Sequence, residues 1–370
     1  MKKLNFFKLA VSFALAFSML FSTAYAKEEE GLTSVLTYDE AVKLVIKNNS
    51  DIKALLESVE IAEDLKQQAA QAADSVRIGT GILVTDSATA SLLKTVMSLD
   101  TSLTQSGYNK KIYELQAEKT VKSMLSSIIS TEDKLSYLNG SYNLSLKSLN
   151  NAYTYHSLGL ITSSDLEKTK IGVSKLKSSI DTLSLSLDAT YASFNNALGY
   201  DSAKRYEIKY TPEFVPFEMY TDIESYISSK LSTDPYLKIL DASVTNAKMN
   251  LNLYVYDATS SDSYKQREYN LNSAERKYKS VKDGFGEGMR KLYSLVSSQE
   301  ALNETLAAEL ELLKKDLEAA ELKYSLGLIT KLELENARLE LSSKKMELNE
   351  NIFNHDINVY MLKNPSMLSS

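Results

Sequence analysis

Ser157-Leu158-Gly159-Leu160-Ile161-Thr162 recurs unchanged as Ser325-Leu326-Gly327-Leu328-Ile329-Thr330, 168 residues further along the chain. The likeness continues downstream, where Asp165-Leu166-Glu167 corresponds to Glu333-Leu334-Glu335 and Val173 to Leu341. An identical hexapeptide between similar flanks, in 370 residues, marks an internal duplication. Each copy follows apolar residues at helical spacing, the second led by Leu302, Leu306, Leu310, Leu313 and Leu317. Gly159 and Gly327 stand where helices commonly end on a residue of positive φ, which glycine adopts without a Cβ clash. Thr162 and Thr330 then read as N-caps, with Asp165 and Glu333 at the third helical position, the capping-box arrangement. Each copy stops one helix and starts another within about four residues, which makes a tight αα-hairpin. Leu158, Leu160, Leu326 and Leu328 are left at the two bends, where they need a partner.

The N-terminus reads as an export signal over residues 1–26. Lys2 and Lys3 open it, Leu9 to Leu20 is apolar, and Ala24-Tyr25-Ala26 is a small-x-small cleavage site. Loss of Lys2, Lys3 and Lys8 with that segment takes the net charge from −6 to −9. An acidic mature chain without a basic cluster argues against nucleic acid and anionic headgroups as partners. The chain contains no cysteine, which excludes disulfides, thiolate metal sites and a lipid-modified N-terminal Cys. Twelve glycines, four prolines and no tryptophan favour long helices over sheets. After the signal, no apolar run is long enough to span a bilayer as a helix.

In chain order, the first repeat occupies 27–200. Thr37-Tyr38-Asp39-Glu40 is a capping box that opens a helix running to about Ala73, bent at Asn48-Asn49-Ser50. Val76, Ile78, Ile82 and Val84 alternate as in a strand, whereas Leu92, Val96, Leu99 and Leu103 are helically spaced, so 76–104 is open between the two. The helix leading to the first bend has interruption sites at Gly107 and Gly140. The return helix carries the heptad Leu166, Val173, Ile180, Leu187, Phe194 and ends at Leu198-Gly199. Residues 201–220, with Pro212 and Pro216, read as an irregular linker. The second repeat, 221–363, restarts at the capping signal Thr221-Asp222-Ile223-Glu224, with a break site at Gly284-Phe285-Gly286. Its return helix carries Leu332, Leu339, Met346, Phe353, Tyr360 alongside Leu334, Leu341, Leu348, and 364–370 forms a tail. The expected fold is all-α: long antiparallel coiled-coil hairpins in two tandem repeats, in rods of roughly 80 to 90 Å.

Two halves, each a long helix, a tight bend at Leu-Gly-Leu-Ile and a long return helix, resemble the TolC family of outer-membrane efflux channels. The matching residues are Tyr155 to Thr169, Tyr324 to Ala337, Leu198-Gly199-Tyr200-Asp201, and the Asp51 and Tyr236 regions that open the halves. The resemblance implies a homotrimer forming a hollow α-helical barrel, whose bends dock on a membrane-fusion adaptor linked to an inner-membrane pump. Leu158, Gly159, Leu160, Leu326, Gly327 and Leu328 are then the adaptor-docking tip. The resemblance also implies acidic residues ringing the tip lumen, a role that falls to Asp165 and Glu333; Asn336 replaces the acid of a further family position. The same two carboxylates are equally accounted for as capping partners of Thr162 and Thr330.

The chain departs from the family pattern where each half would supply a β-hairpin to a membrane barrel. Residues 76–85 and 95–104 barely reach two strands, and Val255 to Tyr264 leaves no room for a hairpin. Three chains would supply at most six strands, short of the roughly eight of the smallest closed barrels. A relative with a reduced or absent barrel is expected, as an envelope or periplasmic tube whose direct insertion into a membrane is doubtful. No nucleophile elbow, phosphate loop or HExxH motif is present, and His156 and His355 are isolated, so no enzyme, cofactor or metal is expected. The competing functional class is a coiled-coil envelope spacer without a bore; a helical pore-forming toxin would have only the 76–99 region to insert.

Overall fold

The computed structural model describes residues 35–80, 87–219, 221–254 and 263–368, so the expected export signal lies outside the described residues. In order come β1 (Val35–Thr37), α1 (Tyr38–Asn48), α2 (Ser50–Thr80), α3 (Ser87–Ser157), α4 (Ser163–Leu198) and β2 (Glu207–Lys209). The second half follows as α5 (Ile223–Thr233), α6 (Pro235–Asn252), α7 (Tyr264–Ser325), α8 (Lys331–Lys363) and a 3-10 turn, Pro365–Leu368. The all-α expectation holds: α1 to α4 and α5 to α8 repeat the same order of two shorter and two long helices.

The breaks within each repeat are built by caps. Thr37 and Glu40 form the capping box that starts α1. Asn49, in an extended conformation, ends α1, and its Oδ1 accepts from the N–H groups of Asp51 and Ile52 at 2.8 and 3.0 Å, which restarts the chain as α2. Asp234 performs the same service between α5 and α6, with Pro235 in the first turn, where its missing N–H costs nothing. The cap of α5 is Asp222, one residue later than the expected Thr221; its Oδ1 accepts from the N–H groups of Glu224 and Ser225.

Three expected interruptions do not occur. The α3 helix runs unbroken for 71 residues through Gly107 and Gly140, and α7 for 62 through Gly284 and Gly286. These rods are roughly 105 and 95 Å long. Gly140 has a packing reason instead: a Cβ there would lie 2.8 Å from Cδ2 of Leu339, so its absence lets α8 approach α3. The strand alternative for 76–104 is settled as helix wherever the chain is described, since 95–104 lies in α3 and 76–80 closes α2. Residues 81–86 and 255–262 lie outside the described residues. Among the described residues the strands are β1 and β2, which pair in parallel, Val35 with Glu207 through Thr37 with Lys209, and no barrel is formed. The linker thus contains an ordered strand. Its alternation is too short to stand out in the sequence, and a partner about 170 residues away supplies the pairing.

The heptad of α4 is buried as expected: Leu166, Val173, Ile180 and Phe194 are covered and Leu187 is half-buried. On α7 the seam runs through Asn303, Leu306, Leu310, Leu313 and Leu317, while Leu302 faces outward. Each fully buried aliphatic or aromatic side chain is worth about 1.5–3 kcal/mol, against roughly 0–1 for an exposed ion pair, so these seams rather than the surface charges hold the rods together.

Across the middle of the rods the duplication reaches the core. Val121, Leu125 and Ile128 of α3 pack with Ala41, Val45 and Leu198. Phe285, Met289 and Leu292 of α7, each 164 residues later, pack with Ile227, Leu231 and Leu362. The halves join where α3 meets α8. Lys122 Nζ donates to Asp356 Oδ2 at 2.7 Å, Asn349 Nδ2 to Asp133 Oδ2 at 3.3 Å, and Gly140 meets Leu339. Rising numbers on α3 match falling numbers on α8, so the helices are antiparallel. The end of α3 and the start of α8, hence both bends, lie at one end of the molecule.

Asp234 also ties down the C-terminal turn. Its carboxylate is buried and accepts from the Ser366 N–H at 2.8 Å, the Ser366 hydroxyl at 2.5 Å and the Leu237 N–H at 3.0 Å. Asp234→Ala strands these buried donors and is expected to lower the unfolding free energy by about 2 kcal/mol. Urea denaturation checks this; an unchanged midpoint would show that the anchor contributes nothing.

Candidate functional site: the leucine-glycine corners

Both bends have the same backbone construction. At the first, Gly159 N–H donates to the His156 carbonyl at 3.0 Å and Leu160 N–H to the Tyr155 carbonyl at 2.8 Å. At the second, Gly327 N–H donates to Tyr324 at 3.0 Å and Leu328 N–H to Lys323 at 2.9 Å. This pair of bonds is the Schellman closure, and it requires the left-handed residue supplied by Gly159 (φ 72°) and Gly327 (φ 73°). Gly199, at φ 73°, ends α4 with the same two bonds. Only the first two sites are followed at once by a new helix.

That helix starts from Thr162 in the first corner and Thr330 in the second. Thr330 and Glu333 form a complete capping box: the Glu333 N–H donates to the Thr330 hydroxyl oxygen at 3.2 Å and the Thr330 N–H donates to Glu333 Oε2 at 2.7 Å. Asp165 N–H donates to Thr162 Oγ1 at 3.2 Å, and Asp165 Oδ2 accepts from the Thr162 hydroxyl at 2.7 Å. The backbone N–H of Thr330, then its hydroxyl, hold the Glu333 carboxyl below the usual range. The Thr162 hydroxyl, followed by the Lys168 ammonium, does so for Asp165.

The structure brings all six predicted tip residues to the two corners and leaves the leucines bare. Leu158, Leu160, Leu326 and Leu328 are 64–70% exposed, whereas the leucines of the seams behind them are covered. A bend of five residues has no second layer to cover it. Charges around the corners are largely matched: Lys168 meets Asp165 at 3.2 Å, Lys170 meets Glu167 at 3.4 Å, and Arg338 bridges Glu321 at 3.0 Å across the second hairpin. Each corner is thus a bare apolar tip above charges that are largely paired. Tyr153, Tyr155 and Tyr324 add exposed rings to this end. Sequence reading missed them as surface residues because tyrosine is equally at home in a seam; their only signal was position, just before each bend.

His156 Nε2 lies 3.0 Å from the Ser163 hydroxyl and closes the first hairpin. His355 is buried against the Phe214 ring, with Nε2 3.2 Å from Glu300 Oε1. Among the described residues no group of three or more His, Asp or Glu could hold a metal ion, and no helix is long and apolar enough to cross a membrane.

The architecture is the TolC-like fold of outer-membrane channels, as the paired bends implied. The chain superposes on the CmeC outer membrane channel of Campylobacter jejuni with a TM-score of 0.61 at 11% identity, over 89% of this chain and 85% of that one. The outer membrane protein VceC of Vibrio cholerae gives 0.60 at 10% identity, over 88% and 95%. CusC, a protein described as forming a transmembrane channel, gives 0.62 at 12% identity, over 88% and 92%. No family model and no curated protein matches the sequence.

Two outcomes test the corner chemistry. A Cβ at Gly159 or Gly327 meets open space, so Gly→Ala there costs only the left-handed backbone, about 1 kcal/mol each. Thermal unfolding of each variant should show this small loss with helicity intact; a gross loss of helix would mean the corner is packed. Thr330→Val, which removes the hydroxyl and keeps the backbone N–H, should move the Glu333 titration part of the way up toward the ordinary carboxylate range, read by NMR. Because the folded carboxyl titrates low, its capping contribution is present at neutral pH and disappears as pH falls through the folded-state value. An unmoved Glu333 titration would remove the capping account.

Proposed function

We propose that this chain is a TolC-family channel component of an efflux or secretion system, in which three copies form a hollow α-helical conduit in the cell envelope. The observation that carries this reading is the placement of both Leu-Gly-Leu corners, bare, at one end of rods that have the fold of outer-membrane channels. In this reading the corners are the docking tip. Leu158, Leu160, Leu326 and Leu328 seat on a membrane-fusion adaptor that joins the conduit to an inner-membrane pump, and Gly159 and Gly327 keep the bends tight. Asp165 and Glu333 stand one turn behind, at the mouth of the conduit; Asp165 is paired with Lys168, so the negative charge there comes from Glu333. The exposed face of α4, with Ser174, Ser178, Thr182 and Ser186, supplies the hydroxyl lining that a water-filled path requires. The chain works by providing passage, not by chemistry, and 95–104, where the sequence left a strand open, is helix.

Electron microscopy of the purified protein is expected to show a three-fold ring with a central hole, and a solid rod would remove the conduit. A tagged copy should recover a hairpin-bearing adaptor from cell envelopes. That recovery should drop at least about tenfold with Gly159→Asp or Gly327→Asp, the equivalent of roughly 1.4 kcal/mol or more of binding. Undiminished recovery would place docking elsewhere.

A further inference from the structure

The long rods lie side by side in one row. Toward the corners α4 packs on α3, α3 on α8 and α8 on α7; toward the opposite end α2 packs on α3, α3 on α6 and α6 on α7. The row therefore has two edges, one formed by α4 and α2 and the other by α7. Of the short helices, α1 packs on α4 and α5 on α7, both near the middle. Leucines exposed singly are ordinary on a protein surface. Here they follow the row. Among the described residues, the inner rods α3 and α8 expose large apolar side chains only beside the corners. The edge rods expose them far from the corners: Ile61 and Leu65 on α2, Leu185 on α4, and Tyr269, Leu302 and Leu312 on α7.

The two edges also agree in height. Leu185 stands 22 residues after Ser163, where α4 begins, and Leu302 stands 23 before Ser325, where α7 ends. Both are thus roughly 33 to 35 Å from the corners. At the other end Lys66 pairs with Asp100, which sets Leu65 level with that part of α3. Asp100 stands 57 residues before the end of α3 and Tyr269 stands 56 before the end of α7, so Leu65 and Tyr269 share a level. Charge follows the same register. Among the described residues, Lys175 of α4 and Asp316 of α7 form no ion pair. They stand 12 residues from Ser163 and 9 from Ser325, a difference in height of roughly 4.5 Å, within reach of a lysine side chain.

We propose that the α4–α2 edge of one copy seats on the α7 edge of a second copy, with Leu185 against Leu302, Leu65 against Tyr269 and Lys175 against Asp316. The two edges differ, so the contact is heterologous, and a heterologous contact whose rotation closes makes a ring. The assignment rests on the conduit reading and adds the seam along which copies meet. The chain has no cysteine, so introduced ones report the seam without background. Full-length copies carrying Leu185→Cys are co-expressed with copies of different tag length carrying Leu302→Cys, and both changes fall at exposed positions. A disulfide requires Cα atoms within about 7 Å, so oxidation should link the two kinds of copy to each other. Each variant expressed alone should link at least about tenfold less, because neither edge meets itself. Circular dichroism establishes that the variants are folded. Absence of the 185–302 link in folded protein, or equal linkage in either variant alone, overturns the proposal. A three-fold ring without that link places the seam elsewhere and leaves the conduit reading standing. The link in a particle without a hole keeps the seam and removes the conduit.

Discussion

An apolar stripe on a helix roughly 105 Å long cannot be covered by folding the helix over itself, and everything else in this protein follows from that. The stripe of α3 must be met along its length by other rods, so α4 returns along it from the first corner and α8 descends beside it from the second. Heptads serve this purpose because a repeat of about 3.5 residues keeps the stripe facing its partner over many turns. Glycine within the rods is tolerated for the same reason. Propensity costs about 1 kcal/mol per glycine, and the packing of a long seam outweighs it. At Gly140 the missing side chain is itself part of the packing, since α8 approaches through the space a Cβ would take.

Rods of this kind are stiff along their length and end in corners with too few residues to bury anything. The four corner leucines are therefore exposed by geometry, while leucines a few turns back are covered. The two corners share one construction, a Schellman closure on a left-handed glycine followed by a threonine cap. They share one end because α3 and α8 are antiparallel across the join between halves. A duplicated hairpin thus presents the same apolar surface twice, side by side.

The join between halves is more polar than the seams within them. Lys122 lies 5.0 Å from the Tyr38 ring centroid and 5.8 and 5.9 Å from those of Tyr210 and Tyr360, while its ammonium donates to Asp356. Tyr210 also donates to Asp356 at 2.7 Å, so the linker strand region is fastened to α8 through the same carboxylate. Burial and the nearby carboxylates push the hydroxyl pKa values of Tyr38, Tyr210 and Tyr360 upward, which keeps all three neutral, and Tyr360 donates to the Leu115 carbonyl and to Glu118. The material at the join therefore differs from the material along the rods.

Most of the rods, their direction and the position of the bends were legible in the residues. Heptad spacing, a left-handed glycine and a threonine cap are local, and each dictates backbone conformation within a turn or two. The repeated hexapeptide carried the two-fold order of the halves without any structure. What the residues alone left open was decided at a distance. The strand at Glu207–Lys209 exists because Val35–Thr37 lies beside it, and Leu302 faces outward because Asn303 and Leu306 define the seam against α8. Gly107 and Gly284, both exposed and with open space where a Cβ would stand, do not interrupt their helices, since one glycine costs a helix only about 1 kcal/mol. A polar cavity between Thr101 and Gln105 of α3 and Ser243, Asn246 and Asn250 of α6 was invisible in the sequence, since such residues on one helix read as a solvated face until a second polar face is set against them. Local rules determine where a helix starts and stops; which of its faces is buried depends on the neighbour, and the neighbour is chosen only when the whole chain packs.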